Sequence, residues 1–114
     1  MNEGRDLEIS PDVLYGIAQL ALERVDGVRP IQPAPRVGEI LSGRRARGIN
    51  IEREGADVWV DLTVAVTYGV EIPKVAAAAQ RAVREAVASM AGLNVVSVDV
   101  SVESVDLEEN EQGD

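Results

Sequence analysis

A chain of 114 residues with 46% hydrophobic and 27% charged side chains is long enough for one core and short of two. The apolar share is built from Val, Ala, Leu and Ile, with no Phe and 3% aromatic residues, a mixture that suits strands and close helix packing. The absence of Cys and His removes disulfides, thiolate nucleophiles, the usual zinc sites and the commonest general acid/base, while a net charge of −9 opposes nonspecific nucleic-acid binding by the molecule as a whole.

Residues 1–8 mix both charge signs, lack the basic start and apolar stretch of a secretory signal, and read as a flexible N-terminus. No run of about 18 apolar residues occurs, so no membrane-spanning helix is expected. Ser10-Pro11-Asp12 then starts a helix: Ser10 can cap free amides, Pro11 fits the first helical position, and Asp12 favours the positive end of the helix dipole. Val13, Leu14, Ile17, Leu20, Ala21 and Val25 follow at spacings of three and four and form the expected apolar face, with Gly27 as the stop. Residues 29–47 hold three prolines and two glycines and read as a long loop with a short extended piece at its start.

From Gly48 the period changes to two. Ile49 and Ile51 alternate with Asn50 and Glu52, Glu54-Gly55-Ala56-Asp57 supplies a turn, and Val58, Val60, Leu62, Val64 and Val66 alternate with polar partners, which predicts a β-hairpin. Pro73 opens a second helix with an expected face of Ile72, Val75, Ala76, Ala79, Val83, Val87 and Met90, and Gly92 ends it. A last strand places Val96, Val98, Val100 and Val102 on one side and Ser97, Asp99, Ser101 and Glu103 on the other. The expected fold is α+β: a two-layer sandwich in which two helices cover one face of a small mixed β-sheet, in the order helix, strand, strand, helix, strand. Residues 9–105 form its single domain, and residues 106–114 an acidic disordered tail. The uncovered sheet face shows Asp61, Thr63, Thr67, Ser97, Asp99 and Ser101, with Trp59 beside the turn, and reads as solvated or as a polar docking surface.

Tests for chemistry are mostly negative. Gly43 and Gly48 have the glycine spacing of a phosphate loop, but Ile49-Asn50 follows where Lys-Ser/Thr and a helix are required. Asp61 and Asp99 share a face, yet acid/base catalysis needs a carboxyl raised by burial in a pocket, which an open face does not offer. The tail lacks the spacing of a calcium loop, so no metal, cofactor or catalytic residue is expected. K-homology RNA-binding domains need a Gly-x-x-Gly loop between two helices, and none lies there; Tyr15, Trp59 and Tyr68 fall on different elements and build no stacking platform. Arg44, Arg45 and Arg47 concentrate positive charge in segment 29–53, which the negative tail is expected to attract loosely.

The string from Ile9 to Val105 resembles the alkaline-shock-protein family of bacterial envelope-stress proteins. The carrying residues are ISPDVLYGIAQLALERVDGV, RGINIEREGADVWVDLTVAVTYG, IPKVAAAAQRAVREAV and MAGLNVVSVDVSVESV, with Gly27-Val28, Tyr68-Gly69 and Gly92-Leu93-Asn94-Val95 as punctuation. The resemblance implies a non-catalytic cytoplasmic scaffold or interaction protein of cell-envelope homeostasis, in some members recruited to the inner face of the membrane by a small anchored protein. A homo-oligomer acting through protein contacts is expected, with no small-molecule substrate, nucleic acid or direct membrane insertion. Arg44, Arg45, Arg47, Trp59, Asp61, Thr63, Ser97, Asp99 and Ser101 are the candidate interaction residues. A small RNA-binding module using segment 29–53 is the alternative.

Overall fold

The computed structural model describes residues 8–32 and 48–107. Along the chain lie α1 (Pro11–Glu23), β1 (Val28–Pro30), β2 (Ile49–Glu54), β3 (Asp57–Thr67), α2 (Ile72–Ala91) and β4 (Asn94–Asp106). The expected α+β sandwich is present: β3 pairs antiparallel with β1 and β2 along one edge and parallel with β4 along the other, so the sheet is mixed. The strand β1 is the extended piece expected at the start of segment 29–47, and the loop expected over the rest of that segment lies outside the described residues from position 33 onward. The expected segments 1–8 and 106–114 lie outside the described residues, apart from Glu8, Asp106 and Leu107.

Local chemistry explains the boundaries. Ser10 Oγ accepts from the Val13 amide at 3.3 Å, and Pro11 occupies the first turn of α1. The helix closes at Glu23, ahead of the expected stop at Gly27, and Gly27 instead makes the turn into β1 at φ +87°. Gly92 caps α2 in the left-handed region at φ +71°, its amide donating to Ala88 O at 3.0 Å, as a C-terminal glycine should.

The inward face of β3 is the expected one, with Val58, Val60, Leu62, Val64 and Val66 all buried. In α2, Ala79, Val83 and Val87 are buried, while Ile72 and Met90 at the helix ends are exposed. Two expectations need correction. On α1 the buried residues are Leu14, Ala18 and Leu22, one turn apart on one stripe, whereas Val13 is 51% and Leu20 62% exposed. The apolar residues of this helix exceed what one stripe needs, so spacing alone does not choose the stripe; the positions of α2 and of the sheet do. On β4, Val96 is exposed and Val95 and Val98 point inward. A bulge sets Val96 and Ser97 together opposite Trp59, and the extra residue shifts the alternation by one. A second bulge sets Glu103 and Ser104 opposite Ala65.

β1 and β2 lie end to end along one edge of β3. The Ile31 amide donates to Thr63 O at 2.9 Å and the Thr63 amide donates to Gly48 O at 2.8 Å, so residues 32–47 leave and re-enter the sheet at one point. Gly48 is required there: its φ is +85°, and a Cβ would stand 2.6 Å from Ile31 O and 2.8 Å from Thr63 O. Close backbone approach therefore accounts for the second glycine of the Gly43–Gly48 string, with no phosphate involved.

Candidate functional site

The helices cover the valine face and leave the opposite face of the sheet uncovered. Alternation and register assemble that face in rows. Asn50, Asp61 and Asp99 sit abreast on β2, β3 and β4; Glu52, Trp59 and Ser97 form the next row; Thr63 pairs with Ser101. Trp59, Asp61, Thr63, Ser97, Asp99 and Ser101 are thus brought together as expected. Arg44, Arg45 and Arg47 lie outside the described residues. Glu52 and Asn50 also belong to the face; the two-residue turn at Gly55-Ala56 fixes the register that puts Glu52 opposite Trp59, so the hairpin signal contains them.

Electrostatics on the face is one-sided. Partial burial pushes the Asp61 carboxyl above its ordinary range, and the charges of Asp99 and Glu52, with a hydrogen bond to Asp99, add to the shift. At the turn, Asn94 Nδ2 donates to Asp57 Oδ1 at 2.9 Å. The described arginines of segment 29–53 are engaged elsewhere. Arg53 Nε donates to Gly55 O at 2.8 Å, and Arg29 grips Asp106 in two contacts, Nε to Oδ2 at 2.8 Å and Nη2 to Oδ1 at 3.0 Å.

The Arg29–Asp106 pair crosses β3, because Arg29 is registered with Ala65 and Asp106 with Thr67. Ala65, the β3 residue registered with Arg29, is fully buried although it lies on the open face. The hydrogen bond from Arg29 holds the Asp106 carboxyl below its ordinary range. The same hydrogen bond raises Arg29 further. This pair joins the first residues of the two segments whose attraction the sequence suggests.

The carboxyls lie on a flat surface, and among the described residues no three Asp or Glu side chains are grouped to hold a metal ion. Nor does any described helix have the length and apolarity to cross a membrane. The fold is a small two-layer α+β domain in which the two described helices leave one face of the sheet open.

Residues 1–107 match the model of the alkaline shock protein 23 family, described as having a cell envelope-related function, and the chain belongs to that family. It is similar to the uncharacterized protein YqhY of Bacillus subtilis, 28% identical over 112 residues that cover 93% of this chain and 81% of that protein. The uncharacterized protein Spy1535 of Streptococcus pyogenes is 28% identical over 110 residues, covering 96% and 85%. Among solved structures the chain resembles variants of MamM-CTD. One has a TM-score of 0.52 at 22% identity, covering 83% of this chain and 98% of that one. A zinc form of MamM-CTD has a TM-score of 0.52 at 21% identity, covering 84% and 87%. At that identity the likeness is one of fold.

Proposed function

We propose that the protein is a non-catalytic cytoplasmic scaffold or interaction protein of cell-envelope stress response or homeostasis, held at the inner face of the membrane through a protein partner. The observation that carries this reading is the open sheet face, where Trp59 stands beside Asp61, Asp99 and Glu52 with no helix over them. A polar sheet face with one large aromatic side chain and, among the described residues, neighbouring like charges suits a protein partner, since aromatic residues anchor interfaces and charge sets their specificity. Residues 9–105 act as one domain, without cofactor or substrate. Self-association belongs to the same reading, supported by the exposed Val13 and Leu20 on α1 and by sheet edges that no strand covers among the described residues.

The RNA-binding alternative draws less support. Its described arginines are occupied by Asp106 and by Gly55 O, and the sheet face beside them is acidic, which repels phosphate. Crosslinking in living cells followed by affinity capture tests the reading. The expected result is a membrane-fraction protein retained by the wild-type chain and lost from the Trp59→Ala, Asp61→Lys double variant. Retention of RNA in a salt-dependent way, or an unchanged catch from the double variant, overturns it.

A further inference from the structure

We propose that the outer edge of β4 from Val100 to Val105 is a docking site for an extended segment of a partner protein in which apolar residues alternate with Lys or Arg. The inference rests on the interaction-protein reading and names the surface and the chemistry of the partner.

Along a strand, residues whose side chains share a face also turn their N–H and C=O groups toward the same edge. On β4 the inward-facing residues Val95, Val98, Val100, Val102 and Val105 therefore present their backbone groups away from β3, the one strand with which β4 pairs. The near half of this edge is closed by α2. Arg84 Nη1 donates to Val95 O at 2.7 Å and Gln80 Nε2 donates to Val98 O at 2.9 Å, so two helix side chains take the place of a neighbouring strand.

The far half has no such shield. The contacts of Gln80 and Arg84 show that α2 runs antiparallel to β4, so the helix positions abreast of Val100 and beyond are those one and two turns before Gln80. They hold Ala76, Ala77 and Pro73, none of which has a side-chain donor. Among the described residues no strand pairs with the edge from Val100 onward, and these positions of α2 offer it no side-chain donor. An edge left open beside a closed one is what strand addition needs, and main-chain pairing would supply the affinity.

Side chains specify the guest. On the valine face it would lie beside half-buried Val100 and Val102 and the 45% exposed Val105, which calls for apolar residues. On the open face it would lie beside Asp99, Ser101 and Glu103, which calls for Lys or Arg at the alternate positions. A second copy of β4 competes for the same edge: antiparallel pairing about Ser101 sets Asp99 against Glu103 twice, which is destabilising, whereas pairing about Val100 sets Asp99 against Ser101 and leaves both Asp99 charges uncompensated, so a basic guest complements the edge better than the copy does.

The test uses the full chain and a capped peptide of about eight alternating Val and Lys residues, with a Val/Glu peptide as control. Binding is followed through amide hydrogen exchange. The expected result is slowing of the Val100 and Val102 amides by about tenfold or more with the Lys peptide and none with the Glu peptide at low salt.

Two variants probe the edge from different sides. Ala77→Gln extends the helix shield by one turn without touching β4, and Val102→Pro removes an outward amide while sparing the β3 ladder. Each should weaken the Lys peptide by about tenfold with the circular dichroism spectrum retained. Unchanged binding by the Gln variant, or protection falling on β2 amides instead, overturns the assignment. So does protection of Val100 and Val102 that depends on protein concentration with no peptide present, which would give the edge to a second copy. Failure of the wider reading looks different: the wild-type chain would then retain no partner in cells, whatever the peptide does at the edge.

Discussion

Replacing Asp61 by Asn should make the protein more stable at neutral pH, an unusual direction for a polar substitution in the middle of a sheet. Asp61 lies directly across from Asp99 and diagonal to Glu52, and its carboxyl is raised by partial burial and by both charges. A like-charge pair directly opposite costs about 0.2 to 1 kcal/mol. Both groups are exposed to water, so screening holds the gain near the middle of that range, about 0.5 kcal/mol. For a domain of this size that is a rise of about 2 to 4 °C in melting temperature.

The pH dependence carries the sign. A carboxyl whose folded pKa exceeds its unfolded value binds its proton more readily when folded, so it costs nothing at pH values below the unfolded pKa. The cost grows as pH rises through the folded pKa and is constant above it. Thermal melts of both proteins from pH 3 to pH 8 should therefore converge in acid and separate above the carboxylate range. The gap should shrink in 1 M salt, where the Debye length falls to about 3 Å. Equal stabilities at neutral pH, or a gap of the same size in acid, would refute the account of this face as mutually repelling carboxylates.

Asp106→Asn should act the opposite way. Its carboxyl is lowered by Arg29, so the pair contributes stability above the unfolded carboxylate pKa and loses it as pH falls through the lowered folded value; urea midpoints at neutral and acid pH check this. Leu22→Ala empties a fully buried site between α1 and the sheet and should cost about 2 to 5 kcal/mol in chemical denaturation. Gly48→Ala forces a left-handed backbone on alanine and drives its Cβ onto two strand backbones, so a loss of about 1 to 3 kcal/mol, or failure to fold, is expected in the same assay. Leu20→Lys on the exposed stripe of α1 should lower the sedimentation coefficient at high protein concentration without changing stability; a loss of stability instead would place Leu20 in the core.

The sequence makes most of this fold legible because β3 alternates without a fault and α2 has a single apolar stripe between proline and glycine. It misleads where local pattern does not decide. In α1 the apolar residues exceed what one stripe needs, and only the positions of α2 and of the sheet select Leu14, Ala18 and Leu22. In β4 the phase of Val98, Val100 and Val102 is the expected one, and only the adjacent pair Val95 and Val96 leaves the start of the strand open; the bulge at Val96 is set by pairing with β3. The candidate face follows from the alternation of β3, but its acidity becomes plain only when the hairpin register brings Glu52 beside Trp59. The helix side chains that close half of the β4 edge leave no signature, because Gln80 and Arg84 read from sequence as ordinary solvated residues.

The meeting of Ile31 and Gly48 at Thr63 has a consequence for how this surface is built. Ile31 and Gly48 converge on one register position of β3. β1 and β2 keep the pairings of a single interrupted strand. The junction also stands one row from Asn50, Asp61 and Asp99. The fold thus seats the root of a segment rich in proline and arginine beside the acidic row of the open face and on the edge of the sheet opposite β4. A strand added to β4 would reach the same face from the other side, so the two edges can present different chemistry to one partner across a sheet three strands wide.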